Sequence, residues 1–353
     1  MISVAIADDS PFTCKLLASY IEEGGACRVV GVAHDTQSTL ELIRQEKPDV
    51  LTLDLQMPGG DGLDLLRQLA IEPPVSVVVI SGVTRLAAAT TLRALELGAV
   101  DFILKYTPGA PVSRASLRRE IVAKVKMAAA AHPNRRPAIV APPSAVTNGL
   151  PRIAPRPPAR AIAPPDAAGV VVIGASTGGP TAISDLLAQI SAEFATPCVI
   201  VQHLPAAFTI PFVAQLERRA RVRVKVAATG DRLEAGLALV APGSLHLLIR
   251  SDGRVQLQSP AEKDHYRPSI DLAMASAADA CGTSAVGVVL TGIGDDGAEG
   301  LRRIREAGGE GFVQDVASCI VPSMPERALQ RAGADCVASP ERIGQILALR
   351  RKP

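Results

Sequence analysis

Three predicted strand ends in the C-terminal half carry the side chains of an acyl-transfer site. Ser176 follows the apolar run 170–175, His203 follows a second apolar run, and two aspartates, Asp295 and Asp296, follow a third. A serine hydroxyl becomes a nucleophile when a histidine takes its proton and a carboxylate fixes the histidine tautomer. Because the carboxyl ends of parallel strands share one edge of a sheet, these side chains can meet there. The spacing predicts a Ser-His-Asp site, with either aspartate able to supply the carboxylate.

The glycines around this serine also occur in other kinds of site. A dinucleotide-binding turn needs G-x-G-x-x-G and an acid about 20 residues further on. Here the glycines are Gly174, Gly178 and Gly179, and the next predicted strand ends in Gln202-His203. The pattern therefore disfavours dinucleotide binding.

Residues 174–178 also match the G-x-S-x-G elbow of α/β-hydrolases. In that fold the chain order is Ser, acid, His, whereas His203 precedes the acidic candidates here. The order disfavours that fold and leaves the chemistry intact. Two ordinary structural roles stay open, since His203 could be a buried, hydrogen-bonded histidine and Asp296 could cap a helix.

The N-terminal half places three carboxylates at predicted strand ends. Asp8 and Asp9 follow the first apolar run and Asp54 follows the third, while Ser81 and Lys105 follow the fourth and fifth. Carboxylates gathered at one sheet edge repel each other unless a hard cation such as Mg²⁺ lies among them. Asp54 would then be a nucleophile for phosphoryl transfer, with Lys105 and Ser81 binding the phosphoryl oxygens. Taken singly, each aspartate could equally cap the helix that follows it.

The hydrophobic pattern predicts the elements that position these side chains. In the N-terminal half, five apolar, β-branched runs alternate with helix-length segments, which is typical of a parallel sheet covered by helices on both faces. The predicted strands are Ile2–Ala7, Cys27–Ala33, Val50–Leu53, Val75–Ile80 and Val100–Leu104, and the predicted helices are Pro11–Glu23, Thr36–Gln45, Gly62–Ile71 and Thr84–Leu97. In such a sheet, functional residues lie at the carboxyl ends of the strands.

Length and charge divide the chain into two domains and a linker. A chain of 353 residues is long enough for two domains. Acidic residues exceed basic ones by three over 1–125, basic residues exceed acidic ones by five over the Pro-rich segment 126–168, and the two balance over 169–353. Because prolines lack the amide donor that a sheet needs, segment 126–168 is predicted to be a semi-extended linker. The flanking domains are placed at 1–125 and 169–349.

The composition excludes several classes of function. The formal net charge is only +2 and the chain has no Trp, which argues against a nucleic-acid partner. The six cysteines form no C-x-x-C pair, so they are expected to be reduced thiols. The first nine residues lack the basic region of a signal peptide, and no apolar run approaches the ~18 residues of a membrane span. We expect a cytoplasmic protein with no direct membrane insertion.

Residues 1–125 resemble the response-regulator receiver family. Besides the acidic, serine and lysine positions above, the matching motifs are M-P-G-G-D-G at 57–62 and A-L-E-L-G-A-V-D-F at 94–102. The resemblance implies a flavodoxin-like (βα)5 fold and phosphorylation of Asp54 by a histidine kinase of the CheA type. One departure is Tyr106, because the family's lysine, here Lys105, is usually followed by proline.

The receiver resemblance also implies a ligand set for Mg²⁺. The family's ligands correspond to Asp9, Asp54 and the main-chain carbonyl of Gln56, with Asp8 acting nearby. These are oxygen donors, which suit this ion.

The C-terminal domain resembles CheB, the protein-glutamate methylesterase/glutaminase family of chemotaxis. The matching motifs are I-G-A-S-T-G-G-P (173–180), Q-H-L-P (202–205), A-P-G (241–243), H-Y-R-P-S-I-D (265–271), L-T-G-I-G-D-D-G (290–297) and A-S-C (317–319). A receiver joined by a linker to this catalytic domain is the family's architecture. The resemblance implies a doubly wound α/β fold with a mainly parallel sheet, and it assigns the catalytic roles to Ser176, His203 and Asp296.

The resemblance implies further roles around the catalytic residues. Thr177 and the amide of Ile293 match the family's active-site threonine and oxyanion-hole amide, and Arg267 lies in the R-P-S motif that borders the active site. The implied activity is hydrolysis of glutamyl methyl esters and glutamine amides on methyl-accepting chemoreceptors, with no cofactor for the hydrolysis and with activation by receiver phosphorylation.

Four positions depart from the family's usual sequence near the C-terminal end of the domain: Val316, Pro322, Ser323 and Glu326. None belongs to the Ser-His-Asp set, so they bear on the shape of the cleft and on receptor preference. Two alternative functions remain, namely the same hydrolase serving a non-chemotactic signalling array and a non-catalytic response regulator that docks on receptors.

Overall fold

A computed structural model describes residues 1–69, 75–82, 84–105, 114–131, 169–192 and 194–349. The chain divides into two compact units, Met1–Val140 and Ala141–Pro353. The predicted linker, 126–168, lies outside the described residues from residue 132 onward, and so does Tyr106. Within the described ranges, no helix is both long and apolar enough to cross a membrane.

In the described residues, the N-terminal unit is a five-stranded parallel sheet with five helices. The strands are β1 (Ile2–Ala7), β2 (Cys27–Ala33), β3 (Val50–Asp54), β4 (Ser76–Ser81) and β5 (Asp101–Leu104), and the helices are α1 (Pro11–Glu22), α2 (Thr36–Glu46), α3 (Gly62–Leu69), α4 (Arg85–Glu96) and α5 (Arg114–Ala130). The strand order is β2-β1-β3-β4-β5, and all neighbouring pairs are parallel. The predicted parallel α/β fold is confirmed, and each predicted element is present with ends that agree to within a residue or two, except that the predicted end of the third helix at Ile71 lies outside the described residues.

Burial explains why these segments become strands and where the unit ends. Strands β3 and β4 are buried along their whole length because helices cover both faces of the sheet, which requires continuous apolar runs. Helix α5 continues to Ala130, past the domain limit at 125, because Ala128 and Ala131 are still buried against the unit. The Ser76 hydroxyl also donates to the carbonyl of Ala131, at 3.2 Å. The first unit therefore continues to residue 131, beyond the predicted start of the linker at 126, and the limits of the domains remain a prediction.

The described residues of the C-terminal unit form a seven-stranded parallel sheet, a two-stranded antiparallel sheet, six α-helices and two 3-10 helices. The strands are β6 (Val170–Ala175), β7 (Cys198–Gln202), β8 (Arg223–Val226), β9 (Leu237–Val240), β10 (His246–Ile249), β11 (Val255–Gln258), β12 (Ala285–Val289), β13 (Glu310–Gln314) and β14 (Cys336–Ala338). The α-helices are α6 (Gly179–Leu187), α7 (Ala206–Glu217), α8 (Ile270–Cys281), α9 (Ala298–Glu306), α10 (Ser323–Arg331) and α11 (Pro340–Ala348), and the 3-10 helices are Gly282–Ser284 and Val316–Ser318.

The order of the large sheet reverses beside β6. The strands lie in the order β14-β13-β12-β6-β7-β9-β8, so the chain builds outward from β6 through β7 and later returns to β12 on its other side. Ligands of doubly wound α/β proteins bind in the crevice at such a reversal, beyond the carboxyl ends of the strands. The predicted doubly wound fold is confirmed, and its crevice lies at the ends of β6, β7 and β12.

Candidate functional site

Ser176 follows β6 directly, at a turn that depends on two glycines. Gly178 has φ +77°, a left-handed conformation that glycine adopts without strain, and it caps α6. A Cβ at Gly174 would lie 2.3 Å from the side chain of Ile270, so only glycine lets α8 pack this closely on β6. The Ser176 amide donates to the carbonyl of Thr291 at 3.0 Å, which ties the serine to the loop after β12.

Strand register brings His203 next to the serine. Ala175 at the end of β6 pairs with Gln202 at the end of β7, and the His203 amide donates to the Ala175 carbonyl at 3.1 Å. The side-chain amide of Gln202 donates to the Ser176 carbonyl at 2.8 Å. Ser176 and His203 therefore occupy adjacent positions just beyond two hydrogen-bonded strands.

Of the two aspartates that the sequence left open, Asp296 binds the imidazole. Its Oδ2 lies 2.8 Å from Nε2 of His203, and its side chain is only 1% exposed. Asp295 is exposed, and its carboxylate instead accepts a hydrogen bond from the hydroxyl of Tyr266 at 3.1 Å. The geometry of a catalytic carboxylate belongs to Asp296.

The N-terminus of α8 holds the Asp296 carboxylate in place. Ile270 N donates to Oδ2 at 2.7 Å, Asp271 N donates to Oδ1 at 2.9 Å, and the Ser269 hydroxyl lies 3.2 Å from Oδ1. Backbone amides and the helix dipole both stabilise a negative charge at this end of a helix. Asp296 is therefore a fixed anion that faces His203.

The hydrogen bond to Asp296 decides which histidine nitrogen can act as a base. Because Nε2 carries the hydrogen that is shared with the carboxylate, Nδ1 is the nitrogen that can accept a proton. In the described part of the chain, the Ser176 hydroxyl makes no hydrogen bond to this ring. Nucleophile and base are often this loosely coupled before substrate binds.

Tyr266 is a residue of the site that the sequence analysis did not single out. Its ring stacks on the His203 imidazole, with centroids 5.1 Å apart and planes inclined by 12°. Burial raises the pKa of its hydroxyl, and the Asp295 carboxylate adds to that shift. Stacking limits rotation of the imidazole, so Tyr266 helps to keep the base in one orientation. The tyrosine lies within the motif at 265–271, but no spacing rule connects it with His203.

Two residues expected near the oxyanion lie against the serine turn. Thr177 is buried, and its carbonyl accepts a hydrogen bond from the Thr291 hydroxyl at 3.0 Å. Ile293 follows Gly292, where a Cβ would lie 2.6 Å from the Cβ of Ser176. Thr177 is the residue after Ser176, and Ile293 is the residue after Gly292, which packs against Ser176. The binding of an oxyanion by the amides of Thr177 and Ile293 remains a prediction.

Arg267 lies on the surface beside this site. Its guanidinium donates to the carbonyls of Ala261, Glu262 and Asp264 at 3.0–3.1 Å. These bonds brace the loop that precedes α8. The contacts of Arg267 indicate that it stabilises this loop. Its predicted support of the active site remains a prediction.

Ser323, one of the departures from the family pattern, contacts the loop that carries Ile293. Its hydroxyl donates to the carbonyl of Gly292 and accepts from the amide of Gly294, both at 3.0 Å. Ser323 therefore hydrogen-bonds the residues on both sides of Ile293. A glycine at position 323 would lack this hydroxyl, so the loop is held differently here.

The acidic residues of the N-terminal unit lie around Lys105. Its Nζ lies 2.6 Å from Oδ2 of Asp54 and 2.8 Å from Oδ2 of Asp8. Burial raises the pKa of the Asp54 carboxyl, and the lysine only partly offsets that effect. Burial alone would lower the pKa of Lys105, but its hydrogen bonds to the two carboxylates raise it. Lys105 therefore reaches the carboxylates although Tyr106 follows it.

The same carboxylates fit a divalent cation. Asp8, Asp9 and Asp54 can each offer one oxygen, and these oxygens lie within 4.8 Å of one another. Asp8 Oδ2 is buried with Lys105 Nζ 2.8 Å away, and three carboxylates together carry more negative charge than a single lysine can neutralise, which suits a divalent cation. Gln56 lies beside them, since its amide donates to Oδ1 of Asp54 at 3.0 Å, and its carbonyl remains a predicted ligand.

Ser81 is buried at the end of β4, where its hydroxyl is already engaged. It donates to the Gly82 carbonyl at 3.0 Å and lies 2.6 Å from the hydroxyl of Thr91 on α4. A phosphoryl oxygen on Asp54 would accept the Ser81 hydrogen bond in competition with the Gly82 carbonyl, while the Ser81 oxygen can still accept from Thr91.

Comparison with known proteins identifies two families. The family model described as CheB methylesterase matches residues 171–347, and the model described as response regulator receiver domain matches residues 4–115. One match lies in each compact unit.

Relatives match along nearly the whole chain. The protein-glutamate methylesterase/protein-glutamine glutaminase 1 of Albidiferax ferrireducens is 38% identical over 95% of this chain and 90% of its own length. The protein-glutamate methylesterase/protein-glutamine glutaminase 2 of Pseudomonas aeruginosa is 39% identical over 98% of this chain and 96% of its own length. The crystal structure of the Thermotoga maritima CheB methylesterase catalytic domain is 31% identical, covering 51% of this chain and 97% of that chain with a TM-score of 0.49.

Proposed function

The chain belongs to the CheB methylesterase family, and from this premise we propose that it is a phosphorylation-activated protein-glutamate methylesterase and protein-glutamine glutaminase. Its substrates are methylated glutamate and glutamine side chains on the helices of methyl-accepting chemoreceptors. The observation that carries the proposal is the buried carboxylate of Asp296, which binds the His203 imidazole at 2.8 Å beside the serine turn.

Acylation begins at the hydroxyl of Ser176. Its oxygen attacks the side-chain carbonyl carbon of the ester while Nδ1 of His203 takes the hydroxyl proton. The Asp296 carboxylate stabilises the imidazolium that forms, and the amides near Thr177 and Ile293 bind the oxyanion. The bond between the carbonyl carbon and the methoxy oxygen then breaks. Methanol leaves with the proton from Nδ1, and the glutamyl group remains on the serine.

Deacylation reverses these roles with water. A water molecule gives a proton to Nδ1 of His203 and attacks the acyl carbon, and the bond to the Ser176 oxygen breaks as that oxygen regains a proton. The product is a free glutamate side chain. A glutamine follows the same steps with ammonia as the leaving group, so one site performs both reactions. These steps use no cofactor.

Phosphorylation uses the site in the N-terminal unit. An oxygen of Asp54 attacks the phosphorus of a phosphohistidine on a CheA-type kinase, and the phosphorus–nitrogen bond breaks. Mg²⁺, bound by Asp9, Asp54 and the Gln56 carbonyl with Asp8 nearby, would neutralise charge on the phosphoryl oxygens. Lys105 pairs with a phosphoryl oxygen and Ser81 donates a hydrogen bond to another.

Phosphorylation then raises the esterase rate. A tenfold activation corresponds to a differential stabilisation of about 1.4 kcal/mol between less active and more active states. Moving the Ser81 hydrogen bond from the Gly82 carbonyl to a charged phosphoryl oxygen is a change of suitable size. The proposal includes a location in the cytoplasm, where receptor helices and kinase are available, and domains near 1–131 and 169–349 joined by a linker.

Methanol release from methylated receptors tests the proposal. Membranes that carry receptors with labelled methyl esters are mixed with the purified full-length chain, with and without a small phosphodonor. We expect Ser176→Ala to retain less than a few per cent of wild-type methanol release, because losing the nucleophile raises the barrier by several kcal/mol.

Three results would each contradict a part of the proposal. A Ser176→Ala variant with substantial methanol release would exclude Ser176 as the nucleophile. A wild-type chain that binds receptors but releases no methanol would favour the docking alternative. Release from receptors of another signalling array, but not from chemoreceptors, would change the substrate and keep the chemistry.

A further inference from the structure

A second histidine, His246, lies close to the site without belonging to the Ser-His-Asp set. We propose that His246 is a positioning residue that fixes the Asp296 carboxylate through the backbone of Ser269. The inference rests on the proposed esterase function. His246 begins β10, and its side chain is 1% exposed.

Both ring nitrogens of His246 are occupied. Nδ1 accepts a hydrogen bond from the Ser269 amide at 3.1 Å, so the ring hydrogen must lie on Nε2. Nε2 donates to Oδ2 of Asp264 at 3.0 Å, and that oxygen also accepts from the Ala261 amide at 2.7 Å. An imidazole with both nitrogens in use cannot take a proton from substrate without releasing Ser269. His246 is therefore suited to holding the backbone and not to acting as a base.

Ser269 connects this histidine to the carboxylate. It caps α8, and its side chain accepts a hydrogen bond from the Leu272 amide at 3.3 Å. The Ser269 hydroxyl and the amides of the next two residues all bind Asp296. His246 holds the Ser269 amide and therefore the first turn of α8, whose amides bind the Asp296 carboxylate.

A chain of hydrogen bonds thus connects four residues: His246, Ser269, Asp296 and His203. Displacing a catalytic group by about 1 Å can lower a rate on the order of a hundredfold. Loss of the Nδ1 contact should therefore lower kcat. KM should change little, since none of these contacts involves groups that we assign to substrate binding.

Two substitutions separate the two halves of the imidazole. In His246→Asn, the amide oxygen can take the place of Nδ1 and accept from Ser269, but the contact with Asp264 is lost. In His246→Gln, the amide nitrogen can take the place of Nε2 and donate to Asp264, but the acceptor for Ser269 is lost. The two variants are matched in polarity and differ in which contact they keep.

The assay is methanol release from methylated receptors by the full-length chain. We expect His246→Gln to lower kcat about tenfold or more with KM within about twofold, and His246→Asn to keep kcat within about threefold of wild type. A His246→Gln variant with wild-type kcat would overturn the inference. So would an equal loss of kcat in both variants.

A double-mutant comparison tests the route through Asp296. If His246 acts through this carboxylate, adding His246→Gln to Asp296→Asn should lower the remaining rate less than about twofold. A further loss of about tenfold would mean that His246 acts independently of Asp296, which would overturn the proposal. Thermal unfolding identifies a variant that fails to fold. In that event His246→Ala is compared with Asp264→Ala, and only the first should lose kcat.

The wild-type chain in the same assay separates the two proposals. An inactive wild type would overturn the esterase function and this inference with it. An active wild type together with an unaffected His246→Gln variant would overturn this inference alone.

Discussion

Replacing Asp296 by asparagine tests the site more sharply than any other single change. Each carboxylate oxygen faces a backbone N–H, with Ile270 N 2.7 Å from Oδ2 and Asp271 N 2.9 Å from Oδ1. An asparagine has only one acceptor oxygen, so its NH₂ group must face one of these amides. A buried donor without a partner costs about 1–3 kcal/mol of stability.

The effect on the rate follows from the same geometry. If the NH₂ group takes the position of Oδ2, it also faces Nε2 of His203, which then accepts and leaves its hydrogen on Nδ1. The base is lost in that arrangement. In the other arrangement the negative charge that stabilises the imidazolium is lost. We expect kcat to fall about 10³–10⁴-fold, equivalent to about 4–5.5 kcal/mol of barrier.

The neighbouring aspartate provides a matched control. Asp295→Asn changes the same charge one residue away, at an exposed side chain that contacts Tyr266. It should keep methanol release within about threefold of wild type, because exposed polar changes have small effects. Thermal unfolding should show a Tm lowered by about 2–4 °C for each kcal/mol lost in Asp296→Asn. If Asp295→Asn were the inactive variant and Asp296→Asn active, the assignment of the carboxylate would be refuted.

Three further predictions concern other contacts. Burial raises the pKa of the Asp271 carboxyl to about 6, above its ordinary 3.8, because the folded chain favours the protonated form. The stability that this protonated carboxyl contributes is fully present below about pH 4 and is lost as the pH rises through 6. Asp271→Asn keeps an acceptor for the two amides at the start of α9 and should stabilise the chain by about 1–2 kcal/mol at pH 8 but not at pH 4, measured by urea unfolding. Ser323→Gly removes the hydroxyl that hydrogen-bonds the Ile293 loop and should lower kcat for methanol release about threefold to tenfold. Asp54→Asn should abolish the rise in methanol release that a small phosphodonor causes in the wild type.

Each of these has an outcome that contradicts it. Equal stability changes for Asp271→Asn at both pH values would remove ionisation as the cause. Ser323→Thr is the control, because it keeps a hydroxyl. An unchanged kcat in Ser323→Gly would show that the Ile293 loop does not need the hydrogen bonds of this hydroxyl. A phosphodonor that still activates Asp54→Asn would place the phosphorylated residue elsewhere.

The amino-acid sequence determined the parallel architecture and the elements that carry the chemistry. Short runs of apolar, β-branched residues that alternate with helical segments form buried strands of a parallel sheet. The strands of the N-terminal unit could therefore be placed to within a residue or two. The carboxyl ends of those strands then indicated Asp54 and Lys105, which lie 2.6 Å apart. The same logic placed Ser176 and His203 on adjacent strand ends.

Contacts between distant segments were decided only by the tertiary structure. Asp295 and Asp296 are alike in type and neighbours in sequence, and the N-terminus of α8 selects the second by gripping its carboxylate. The stacking of Tyr266 on His203 and the hydrogen bond from Ser269 to His246 join segments that no periodicity connects. Periodic patterns report which face of an element is buried. The direction of a side chain at a turn depends on the backbone that packs against it, and that is known only once the chain has folded.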